Sequence, residues 1–425
     1  MKNIFKKLNY ANWAPAIRRL VNIFIGFHIF GYPYKKLKII GVTGTNGKTT
    51  ITTLLYKIAT ALGYEAGLIG TVEHIIAGRK IPTDFTTPEG LQLNKLLSEM
   101  AREGCGYVFM EVSSHGMEEK RVAGINFTGG IFTNLTQDHL DYHLNIKNYF
   151  LAKQNFFKIL PKTAFALSNA DDAYGNRILE GTKAIKKLYG FTKAADFKGK
   201  IKKIDFNGLE LDFGEKKIKS KLIGKFNAYN LLAVWGTCSL LGFDMSKVNK
   251  ILENIEPPRG RFQHFTSPSG VLVIVDYAHT PDALEKVLLT IGELKSKEAS
   301  LRPDDTGKII SVFGCGGDRD SSKRSKMGRI GVVLSDIPIF TSDNPRSEDP
   351  NKIIANMIAG LYPEEIQKVK SIPNRREAIK EAVRLAHGGD VILCAGKGHE
   401  NYQEIKGVKN HFDDLEELKS AFFGK

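Results

Sequence analysis

The sequence predicts an α/β protein of two or three domains, and three observations support this prediction. Its 425 residues exceed the length of one ordinary domain. From Leu37 onward, short apolar runs alternate with helical patterns, which is typical of parallel βαβ units. The chain is 42% hydrophobic and 25% charged, close to the average of soluble globular proteins, and this composition excludes disordered and fibrous classes.

The first half of the chain is predicted to form a central α/β domain. A buried strand is expected over 37–42, followed by a Gly-rich turn and a helix from about Lys48 to Leu62. Further central strands are expected over 107–112 and 130–133, each ending in polar residues. The remaining elements predicted in this half are an inserted antiparallel hairpin set over 197–222 and helices at about 227–242 and 246–254.

A second α/β domain is predicted after a boundary rich in proline and glycine, which the stretches 256–260 and 266–270 bracket. We therefore expect a short basic and apolar segment over 1–37, a central domain over 38–266 and a C-terminal domain over 267–425. The strands expected in the C-terminal domain are 271–275, 308–313, 337–341 and 390–394, with helices between them.

The net charge of +15 is concentrated in two stretches. Residues 1–40 carry eight Lys or Arg and no acid, and residues 161–225 carry fifteen Lys or Arg against eight acids. A basic surface suits nucleic acid, anionic lipid or an acidic small substrate, and solvated lysines on exposed faces are an equal alternative. Because the sequence contains no aromatic RNP strand and no GxxG clamp in a KH setting, we expect no nucleic-acid partner.

Cysteine usage and hydropathy indicate the compartment. The four cysteines are scattered without a CxxC pair, which excludes a disulfide framework and the usual zinc spacings. No stretch approaches the roughly 20 apolar residues of a membrane span, and no small-residue cleavage site follows an apolar start. The sequence therefore predicts a cytoplasmic protein.

The sharpest motif is GVTGTNGKTT, residues 41–50, between a predicted strand and a predicted helix. Glycines let backbone N–H groups approach phosphate oxygens, and the helix N-terminus adds a favourable dipole. Lys48 would reach the β- and γ-phosphates, and the Thr49 hydroxyl would bind Mg²⁺. Val42 stands where a strict Walker A motif has glycine, so the match is to the variant GxxGxxGKT. The predicted ATP contacts in this loop are Gly44, Thr45, Asn46, Gly47, Lys48, Thr49 and Thr50.

Polar residues also follow two other predicted strands. Glu111 ends one of these strands, and His139 follows the next. Because the carboxyl ends of neighbouring parallel strands face one crevice, both residues are expected near the phosphate loop. A carboxylate suits Mg²⁺, whereas His139 taken alone is more simply interpreted as a structural histidine.

Eight motifs occur in the order found in Mur ligases, and the chain is identified as a member of that family over residues 38–414. They are GVTGTNGKTT, EVSSHG, TNLTQDHLDYH, GKFNAYN, VDYAHTPDAL, FGCGGDRD, DNPR and GKGHE. The resemblance implies a central P-loop ATPase domain with a parallel sheet and a small antiparallel insert, followed by a Rossmann-like C-terminal domain. It is nearest to the type that adds meso-diaminopimelate to UDP-MurNAc-L-Ala-D-Glu in peptidoglycan precursor synthesis.

The resemblance implies an ATP-dependent ligation through an acyl phosphate. A substrate carboxylate attacks the γ-phosphate of ATP, and an amine then displaces phosphate to form the amide. This activation is needed because the leaving group of a bare carboxylate would be an oxide. Dense positive charge from Lys48 and Mg²⁺ would stabilise the transfer between two anions. The catalytic residues implied are Lys48, Glu111, His139 and Lys153, and the metal ligands implied are Thr49, Glu111, His139 and Lys153.

Lys153 takes its expected role from the resemblance alone. The sequence pattern by itself indicates a solvent-facing helical lysine, and a bare ammonium cannot ligate Mg²⁺. In many Mur ligases the equivalent lysine is carbamoylated by CO₂ and becomes an anion that helps to hold a second metal. The expected cofactors are therefore ATP, Mg²⁺ and a carbamoylated Lys153.

The resemblance also assigns contacts with the other substrates. Arg121 suits an anion anchor, whereas Glu119 departs from the glutamine that is common in the family at that position. Asp276 is assigned to the nucleotide, although the residues alone favour a helix N-cap equally. The implied UDP-muramyl-peptide contacts are Thr86, Thr87, Ser113 and Arg121, and the further nucleotide contacts are Asn227, Arg261 and Asp276.

The tetrapeptide DNPR, Asp343–Arg346, indicates the incoming amino acid. In the family it accompanies meso-diaminopimelate, and lysine-adding relatives replace the arginine. A forked guanidinium can hold the second carboxylate of diaminopimelate bidentately, whereas it would repel the ammonium of lysine. Asp-Asn-Pro is also a strong turn signal, so a structural role for Arg346 stays open. The implied amino-acid contacts are Arg319, Asp343, Asn344, Arg346, Gly396 and Glu400, with Glu400 pairing with the distal amino group.

The resemblance stops ahead of the phosphate loop, where typical family members carry a longer N-terminal domain that grips the uridine and pyrophosphate. Three alternatives for residues 1–37 stay open. The segment is a membrane-surface helix with apolar 20–30 in the interface, a cap packed on the central domain, or a reduced substitute. In the last case the pyrophosphate would be held by Arg18, Arg19, Lys35 and Lys36.

Other functions also stay open. There are four alternatives: first, a Mur-like ligase that uses L-lysine or another acceptor; second, a folylpolyglutamate or cyanophycin type of ligase; third, a non-catalytic nucleotide-binding scaffold; and fourth, a nucleic-acid-binding ATPase. The DNPR and GKGHE motifs argue against the second, and the intact catalytic residues argue against the third. The expected partners are UDP-MurNAc-dipeptide and meso-diaminopimelate. A monomer is expected, although the sequence does not fix the oligomeric state.

Overall fold

In a computed structural model the chain forms two α/β units, and the expected fold class is confirmed. The structure describes residues 28–83, 85–301 and 307–424, together with Ile17, Val21 and Phe24. One unit comprises residues up to Lys203, Leu209–Leu222 and Phe226–Glu256, and the remaining residues form the other. Arg18, Arg19 and most of the apolar stretch 20–30 lie outside the described residues, so the alternatives for this segment stay open.

Within the described part of the chain, the first unit is built on an eleven-stranded mixed sheet. Its strands are β1 (Lys38–Thr43), β2 (Ala66–Ile69), β3 (His74–Ile76), β4 (Arg79–Ile81), β5 (Tyr107–Glu111), β6 (Gly129–Phe132), β7 (Phe165–Asn169), β8 (Ile185–Gly190), β9 (Phe197–Asp205), β10 (Gly208–Phe213) and β11 (Lys216–Ser220). The strand order is β11-β10-β9-β8-β7-β6-β1-β5-β2-β3-β4. The centre of the sheet is parallel, with β1 between β5 and β6, and antiparallel pairs β2–β3, β3–β4 and β10–β11 lie near its two edges.

Helices pack on this sheet through apolar faces. In the first helix, Leu54, Leu55 and Ile58 are fully buried, because a 3.6-residue period places them on one side. Tyr34 and Leu37 lie in the same core, so the described end of the N-terminal segment packs on the central sheet. The helices are α1 (Lys48–Ala61), α2 (Gly90–Arg102), α3 (Ser114–Glu118), α4 (Leu140–His143), α5 (Ile146–Lys158), α6 (Lys225–Leu240) and α7 (Met245–Asn254), with 3₁₀ turns at Pro33–Lys35 and Arg177–Leu179.

The described part of the second unit has a six-stranded sheet and a separate hairpin. Its strands are β12 (Gln263–Thr266), β13 (Leu272–Asp276), β14 (Ile309–Phe313), β15 (Ile337–Phe340), β16 (Lys370–Ser371), β17 (Val391–Ala395), β18 (Tyr402–Ile405) and β19 (Val408–His411). The sheet has the order β12-β13-β17-β14-β15-β16, and β18 and β19 form the hairpin. Its helices are α8 (Pro281–Leu301), α9 (Lys323–Leu334), α10 (Pro350–Ile358), α11 (Pro363–Ile366), α12 (Arg375–Leu385) and α13 (Asp414–Phe423).

The boundary between the units differs from the predicted one. The chain divides between Glu256 and Pro257, ahead of the boundary expected at residue 266. The reason is that β12 pairs antiparallel with β13 and so joins the second sheet. A four-residue strand between two proline- and glycine-rich stretches resembles a linker in sequence.

Two further properties concern the whole chain. Cys105, Cys238, Cys315 and Cys394 are all free, in line with the absence of a disulfide framework predicted from their scattered positions. All four are also buried. None of the helices in the described ranges is long and apolar enough to cross a membrane.

Candidate active site

The first group of candidate residues lies where β1, β5 and β6 end. Val42 pairs with Glu111, and Thr43 pairs with Phe132, so these parallel strands end side by side at the phosphate loop. This is the position at which open parallel sheets bind ligands.

The phosphate loop requires glycine at two positions. Gly44 and Gly47 have φ angles of 149° and 87°, a backbone region that disfavours residues with a Cβ. A Cβ on Gly47 would lie 2.6 Å from Asn230 Oδ1, and a Cβ on Gly44 would overlap Thr133 Oγ1. Neighbouring segments therefore press closely on the loop.

The segment after β6 fixes the shape of this loop. The backbone N–H groups of Thr45 and Asn46 donate to Asn134, to its backbone oxygen and its Oδ1 respectively, both at 2.9 Å. The Thr133 hydroxyl donates to Asn46 O at 2.6 Å. Thr133, Asn134 and Asn230 were not among the predicted site residues, although all three lie in the motifs TNLTQDHLDYH and GKFNAYN.

Lys48 and Lys153 meet at one carbonyl oxygen. Lys48 Nζ donates to Gly44 O at 2.9 Å and to Thr45 O at 2.7 Å, and Lys153 Nζ donates to Gly44 O at 2.8 Å. Lys153 is only 1% exposed, so its interpretation as a solvent-facing lysine is wrong. Burial, with the positive charge of Lys48, lowers the pKa of Lys153 well below its usual value. This environment favours the neutral amine.

Glu111 is fully buried and held by Thr71, a residue that the sequence analysis missed. Thr71 donates to both carboxylate oxygens, from its backbone N–H at 2.8 Å and from its hydroxyl at 2.9 Å. The Thr71 and Thr86 hydroxyls lie 3.0 Å apart, so predicted substrate contact Thr86 joins the same network. Thr71 follows β2 without a recognisable motif, which is why it was not found.

Thr87 and Ser113 complete this end of β5. The Thr87 hydroxyl donates to Glu111 O at 2.9 Å and accepts from Ser113 N at 3.0 Å. The Ser113 hydroxyl in turn caps α3 by accepting from Gly116 N at 3.0 Å. Thr87 and Ser113, both predicted substrate contacts, therefore also have hydrogen-bond partners within the chain.

Arg121 is bound on two sides by acidic groups. It donates to Thr87 O at 2.7 Å and, through Nε and Nη2, to Glu119 Oε2 at 2.9 and 2.7 Å. Glu89 lies 3.2 Å away. The glutamate that departs from the family pattern thus neutralises the arginine assigned as an anion anchor, and a substrate anion would compete with it.

His139 has a left-handed backbone conformation, with φ 53°, and its backbone N–H donates to Asp138 Oδ1 at 2.8 Å. Its ring lies 4.9 Å from that of His115. Burial lowers the pKa of His139 to about 4; Asp138 opposes this shift, and Lys48, His115 and Lys153 add to it. The neutral imidazole that results is the form that binds metals.

The donor set around the loop fits Mg²⁺ better than a soft metal. Within the described ranges, no three His, Cys, Asp or Glu side chains cluster as a metal site. Mg²⁺ uses few protein ligands and keeps waters and phosphate oxygens. The hydroxyl of Thr49 and the carboxylate of Glu111 are suitable oxygen donors, whereas unmodified Lys153 is not.

The predicted nucleotide residues outside the loop occur in both units. Asn227 is buried in the first, where its Oδ1 accepts from Asn230 Nδ2 at 3.0 Å. In the second, Asp276 accepts from Phe262 N at 2.7 Å, and burial raises the pKa of Asp276 to about 6 against the effect of Arg261. The Arg261 guanidinium lies 4.7 Å from the Tyr277 ring centroid. Asp276 does not cap α8, which begins only at Pro281.

Most of the predicted amino-acid contacts come together where β15 and β17 end. Asn344 Nδ2 donates to Glu400 Oε2 at 2.7 Å. A Cβ on Gly396 would lie 2.5 Å from Asp343 Oδ2, so the two motifs touch. Burial raises the pKa of Glu400, with a further contribution from Asp343.

The two predicted arginines differ in their surroundings. Arg346 Nη1 donates to Gly317 O at 2.7 Å, and Arg346 Nε lies 3.5 Å from Glu404 Oε2. Arg319 is exposed, on the loop that follows Gly317. Arg346 therefore connects this loop to β18, and a bound carboxylate would have to share it with Glu404.

Two family models cover this chain. The Mur ligase middle domain matches residues 42–238, and the "Mur ligase, glutamate ligase domain" matches residues 260–398. The chain belongs to the Mur ligase family. The family membership expected from the eight motifs is therefore confirmed.

Relatives of this Mur ligase are similar over most of its length. A UDP-N-acetylmuramoyl-L-alanyl-D-glutamate–2,6-diaminopimelate ligase of Phocaeicola vulgatus is 52% identical over 393 residues, which are 92% of this chain and 80% of the relative. The ligase of that name numbered 1 in Clostridium acetobutylicum is 43% identical over 398 residues, 92% of this chain and 79% of the relative.

Two solved structures are similar to this chain, at different levels of identity. One of a UDP-N-acetylmuramoyl-L-alanyl-D-glutamate–2,6-diaminopimelate ligase has a TM-score of 0.65 and 34% identity, covering 95% of this chain and 83% of its own. A folylpolyglutamate synthase of Mycobacterium tuberculosis has a TM-score of 0.68 at 18% identity, covering 89% of this chain and 92% of its own. The second likeness shows a shared fold alone.

Proposed function

We propose that this Mur ligase adds meso-diaminopimelate to UDP-MurNAc-L-Ala-D-Glu at the expense of ATP, in the cytoplasm. The observation that carries the proposal is the 52% identity over 92% of the chain to a 2,6-diaminopimelate ligase. The DNPR tetrapeptide supports it, because Arg346 offers a guanidinium for the second carboxylate of this amino acid.

In the proposed reaction, the D-glutamate carboxylate attacks the γ-phosphorus of ATP, and ADP leaves with the bridging electron pair. The amine of diaminopimelate then attacks the acyl carbon, phosphate leaves, and the amine loses a proton to give the amide. The loop N–H groups and Lys48 bind the phosphate oxygens and hold the transferred group in place. Mg²⁺, when bound, neutralises charge on the phosphates; the residues that would hold it are Thr49, Glu111, His139 and carbamoylated Lys153.

Carbamoylation of Lys153 is supported by the state of its amine. CO₂ reacts with a neutral amine, and burial at 1% exposure favours that form. The nitrogen attacks the carbon of CO₂, one proton leaves, and the product is an anionic carbamate that can ligate Mg²⁺. The negative carbamate would also attract the positively charged Lys48, which a protonated Lys153 would repel.

Carbon-13 NMR with labelled bicarbonate tests the modification. We expect a carbamate signal from the intact protein that disappears in Lys153→Ala. Lys158→Ala is the control, because Lys158 is an exposed lysine on the same helix. Absence of the signal at saturating bicarbonate would refute the carbamate and leave the ligase assignment standing.

The activity itself is tested by ADP release with UDP-MurNAc-dipeptide and ATP, comparing meso-diaminopimelate, L-lysine and no amino acid. Turnover that requires diaminopimelate is the expected result. Turnover only with lysine would overturn the specificity, and no ADP release with any amino acid would overturn the function.

A further inference from the structure

Lys397 is a fully buried lysine in the motif GKGHE, and neither the sequence pattern nor the proposed reaction uses it. It lies directly after Gly396, where β17 has just ended. Removing an ammonium group from water is unfavourable unless nearby groups compensate its charge. Its partners therefore indicate what it does.

Among the residues that the structure describes, the ammonium group has two hydrogen-bond partners, and both are predicted amino-acid contacts. Lys397 Nζ donates to Asn344 Oδ1 at 3.1 Å and to Glu400 Oε2 at 3.3 Å. Its Nζ also lies 5.5 Å from the Tyr402 ring centroid. The lysine thus links the DNPR motif to the glutamate of GKGHE.

The contact with Lys397 fixes the orientation of the Asn344 amide. Asn344 Oδ1 also accepts from Glu404 N at 2.9 Å, so two donors hold the oxygen end. The opposite end, Nδ2, must then face Glu400, to whose Oε2 it donates at 2.7 Å. If the amide were rotated by half a turn, the Nδ2 donor group would face Lys397 Nζ and Glu404 N, which are donors themselves. Contacts between donors are unfavourable.

Both donors use the same oxygen of Glu400. Among the described residues, no hydrogen bond reaches its other oxygen, Oε1, and the side chain is 18% exposed. Lys397 and Asn344 together therefore hold the carboxylate with one oxygen available to a ligand. An ammonium group is the natural partner for that oxygen.

Charge also depends on Lys397. Burial and the neighbouring Asp343 raise the pKa of Glu400, whereas Lys397 and the bond from Asn344 lower it. Among the described residues, the phenols of Tyr277 and Tyr402 also face Glu400. Lys397 is thus the cation that keeps Glu400 a carboxylate in a buried, acidic setting.

We propose that Lys397 is a positioning residue for the incoming amino acid: it orients Asn344 and Glu400 so that Glu400 Oε1 receives the distal ammonium group. The inference rests on the proposed function, because it assigns Glu400 to the diaminopimelate. Lys397 itself does not touch the substrate in this arrangement.

The test is steady-state kinetics of Lys397→Met, with diaminopimelate varied over a range of pH at saturating ATP and UDP-MurNAc-dipeptide. We expect the KM for diaminopimelate to rise at least about tenfold, with kcat and the KM for ATP changing by less than about threefold. We also expect the acid limb of kcat/KM for diaminopimelate to move to higher pH, because Glu400 loses its cation. Lys397→Arg, which keeps the charge, should restore most of the affinity.

Lys409→Met is the matched control, because Lys409 Nζ lies 4.5 Å from the same Tyr402 ring but on the exposed strand β19. It should leave both the KM and the pH profile unchanged. Should Lys397→Met fail to fold, Lys397→Gln is expected to show the same movement of the acid limb.

Two results would overturn the inference while the proposed function stands, provided that the wild type is active. In the first, Lys397→Met has the same KM for diaminopimelate and the same pH profile as the wild type. In the second, Lys397→Met weakens the KM for all three substrates equally. A wild type without turnover on any amino acid would overturn both proposals.

Discussion

At the scale of single residues, the Thr71–Glu111 pair shows how much depends on a side chain outside the motifs. Glu111 is fully buried, and its carboxylate accepts both the backbone N–H and the hydroxyl of Thr71. Hydrogen bonds to charged groups are stronger than neutral ones, since they replace the hydration of a full charge. Thr71 therefore fixes the orientation of the Glu111 carboxylate, which is a predicted metal ligand.

We predict that Thr71→Val lowers kcat for ADP release by roughly tenfold to a hundredfold, the equivalent of one hydrogen bond to a carboxylate. The backbone bond remains, so the fold should persist. Rates measured over a range of Mg²⁺ concentrations are the readout, and half-saturation should need more Mg²⁺. Thr71→Ser keeps the hydroxyl and is expected to stay near wild type; equal activity of Val and Ser variants would contradict the prediction.

His74 is a buried titratable group that the proposed reaction does not use. It is fully buried on β3, and burial lowers its pKa from 6.5 to about 4, against a smaller effect of the Glu73 backbone. Above pH 6.5 the imidazole is neutral in the folded and unfolded states alike. Below it the unfolded chain binds a proton that the folded chain does not, so stability falls as the pH falls from 6.5 towards 4.

We predict that His74→Phe reduces this loss of stability on acidification, by on the order of 2 kcal/mol between pH 7.5 and pH 5. Denaturant unfolding of the first unit at the two pH values measures it. His387→Asn is the control, because the His387 side chain is exposed. If the stability of the wild type and of His74→Phe depended on pH in the same way, protonation of His74 would not contribute to the loss of stability on acidification.

At the scale of elements, the phosphate loop and the end of α1 offer a matched pair of glycines. Gly47 has φ 87° and Gly63 has φ 89°, but only Gly47 has a neighbour within 4 Å of an added Cβ, namely Asn230 and Thr133. The backbone strain of a substitution is thus similar at both positions, and the steric conflict is confined to the loop.

We predict that Gly47→Ala and Gly63→Ala each cost about 1 kcal/mol in stability from φ alone, whereas only Gly47→Ala weakens ATP binding, at least about tenfold. Calorimetric titration with ATP separates the two effects. Comparable affinities in both variants would show that the crowding at Asn230 does not shape the loop.

The start of α12 contrasts a buried ion pair with an exposed one at adjacent residues. Arg375 and Asp414 are both 0% exposed and bind through two hydrogen bonds of 2.7 Å. Arg375 also donates to Ser342 O and Ala395 O, the residues directly before the DNPR and GKGHE motifs. Arg376 makes a similar double contact with Glu417 in solvent.

We predict that Arg375→Met destabilises the second unit by about 3–5 kcal/mol, because Asp414 is left buried without its cation. Arg376→Met should cost less than about 1 kcal/mol. Urea unfolding followed by a probe in the second unit measures both. Adding Asp414→Leu to Arg375→Met should recover part of the loss, and equal effects of the two arginines would contradict the account.

The same scale shows what sequence patterns supply and where they stop. Strands β1, β5 and β6 lie close to their predicted ranges, because continuous apolar runs of that length have few alternatives. The strands β3 and β4 and the hairpin β18–β19 had no matching prediction. They are three or four residues long, and pairing with a neighbour rather than local pattern defines them.

The candidate site divides in the same way. Loop residues such as Gly47 and Lys48 could be predicted because phosphate binding requires a fixed spacing. Thr71 and Lys397 were not, because one lies outside the motifs and the other has a role visible only through its partners. The pairing of Arg121 with Glu119 is likewise a matter of geometry, although the departure at Glu119 pointed to that position.

At the scale of the whole molecule, the excess positive charge lies partly on the last strands of the large sheet. Lys216, Lys217 and Lys219 are exposed on β11, the outermost strand of that sheet among the described residues. Lysines on an exposed edge strand oppose pairing with other chains. This accounts for part of the charge without a nucleic-acid partner.

We predict that replacing Lys217 and Lys219 together by valine promotes association of the native protein, because the edge loses two charges and gains two β-formers. Static light scattering against concentration is the readout. Replacement of both by arginine keeps the edge charged and keeps a cation opposite Asp212 and Glu210, so the protein should stay dispersed; aggregation of the arginine variant as well would assign the lysines another role.

The four buried thiols make this chain convenient for labelling. A thiol must reach solvent to react with a maleimide, so the native protein should take up no dye at Cys105, Cys238, Cys315 or Cys394. A cysteine introduced at an exposed position in each unit would then be a unique attachment point without removal of any natural residue. Energy transfer between two such dyes would follow the distance between the units during turnover.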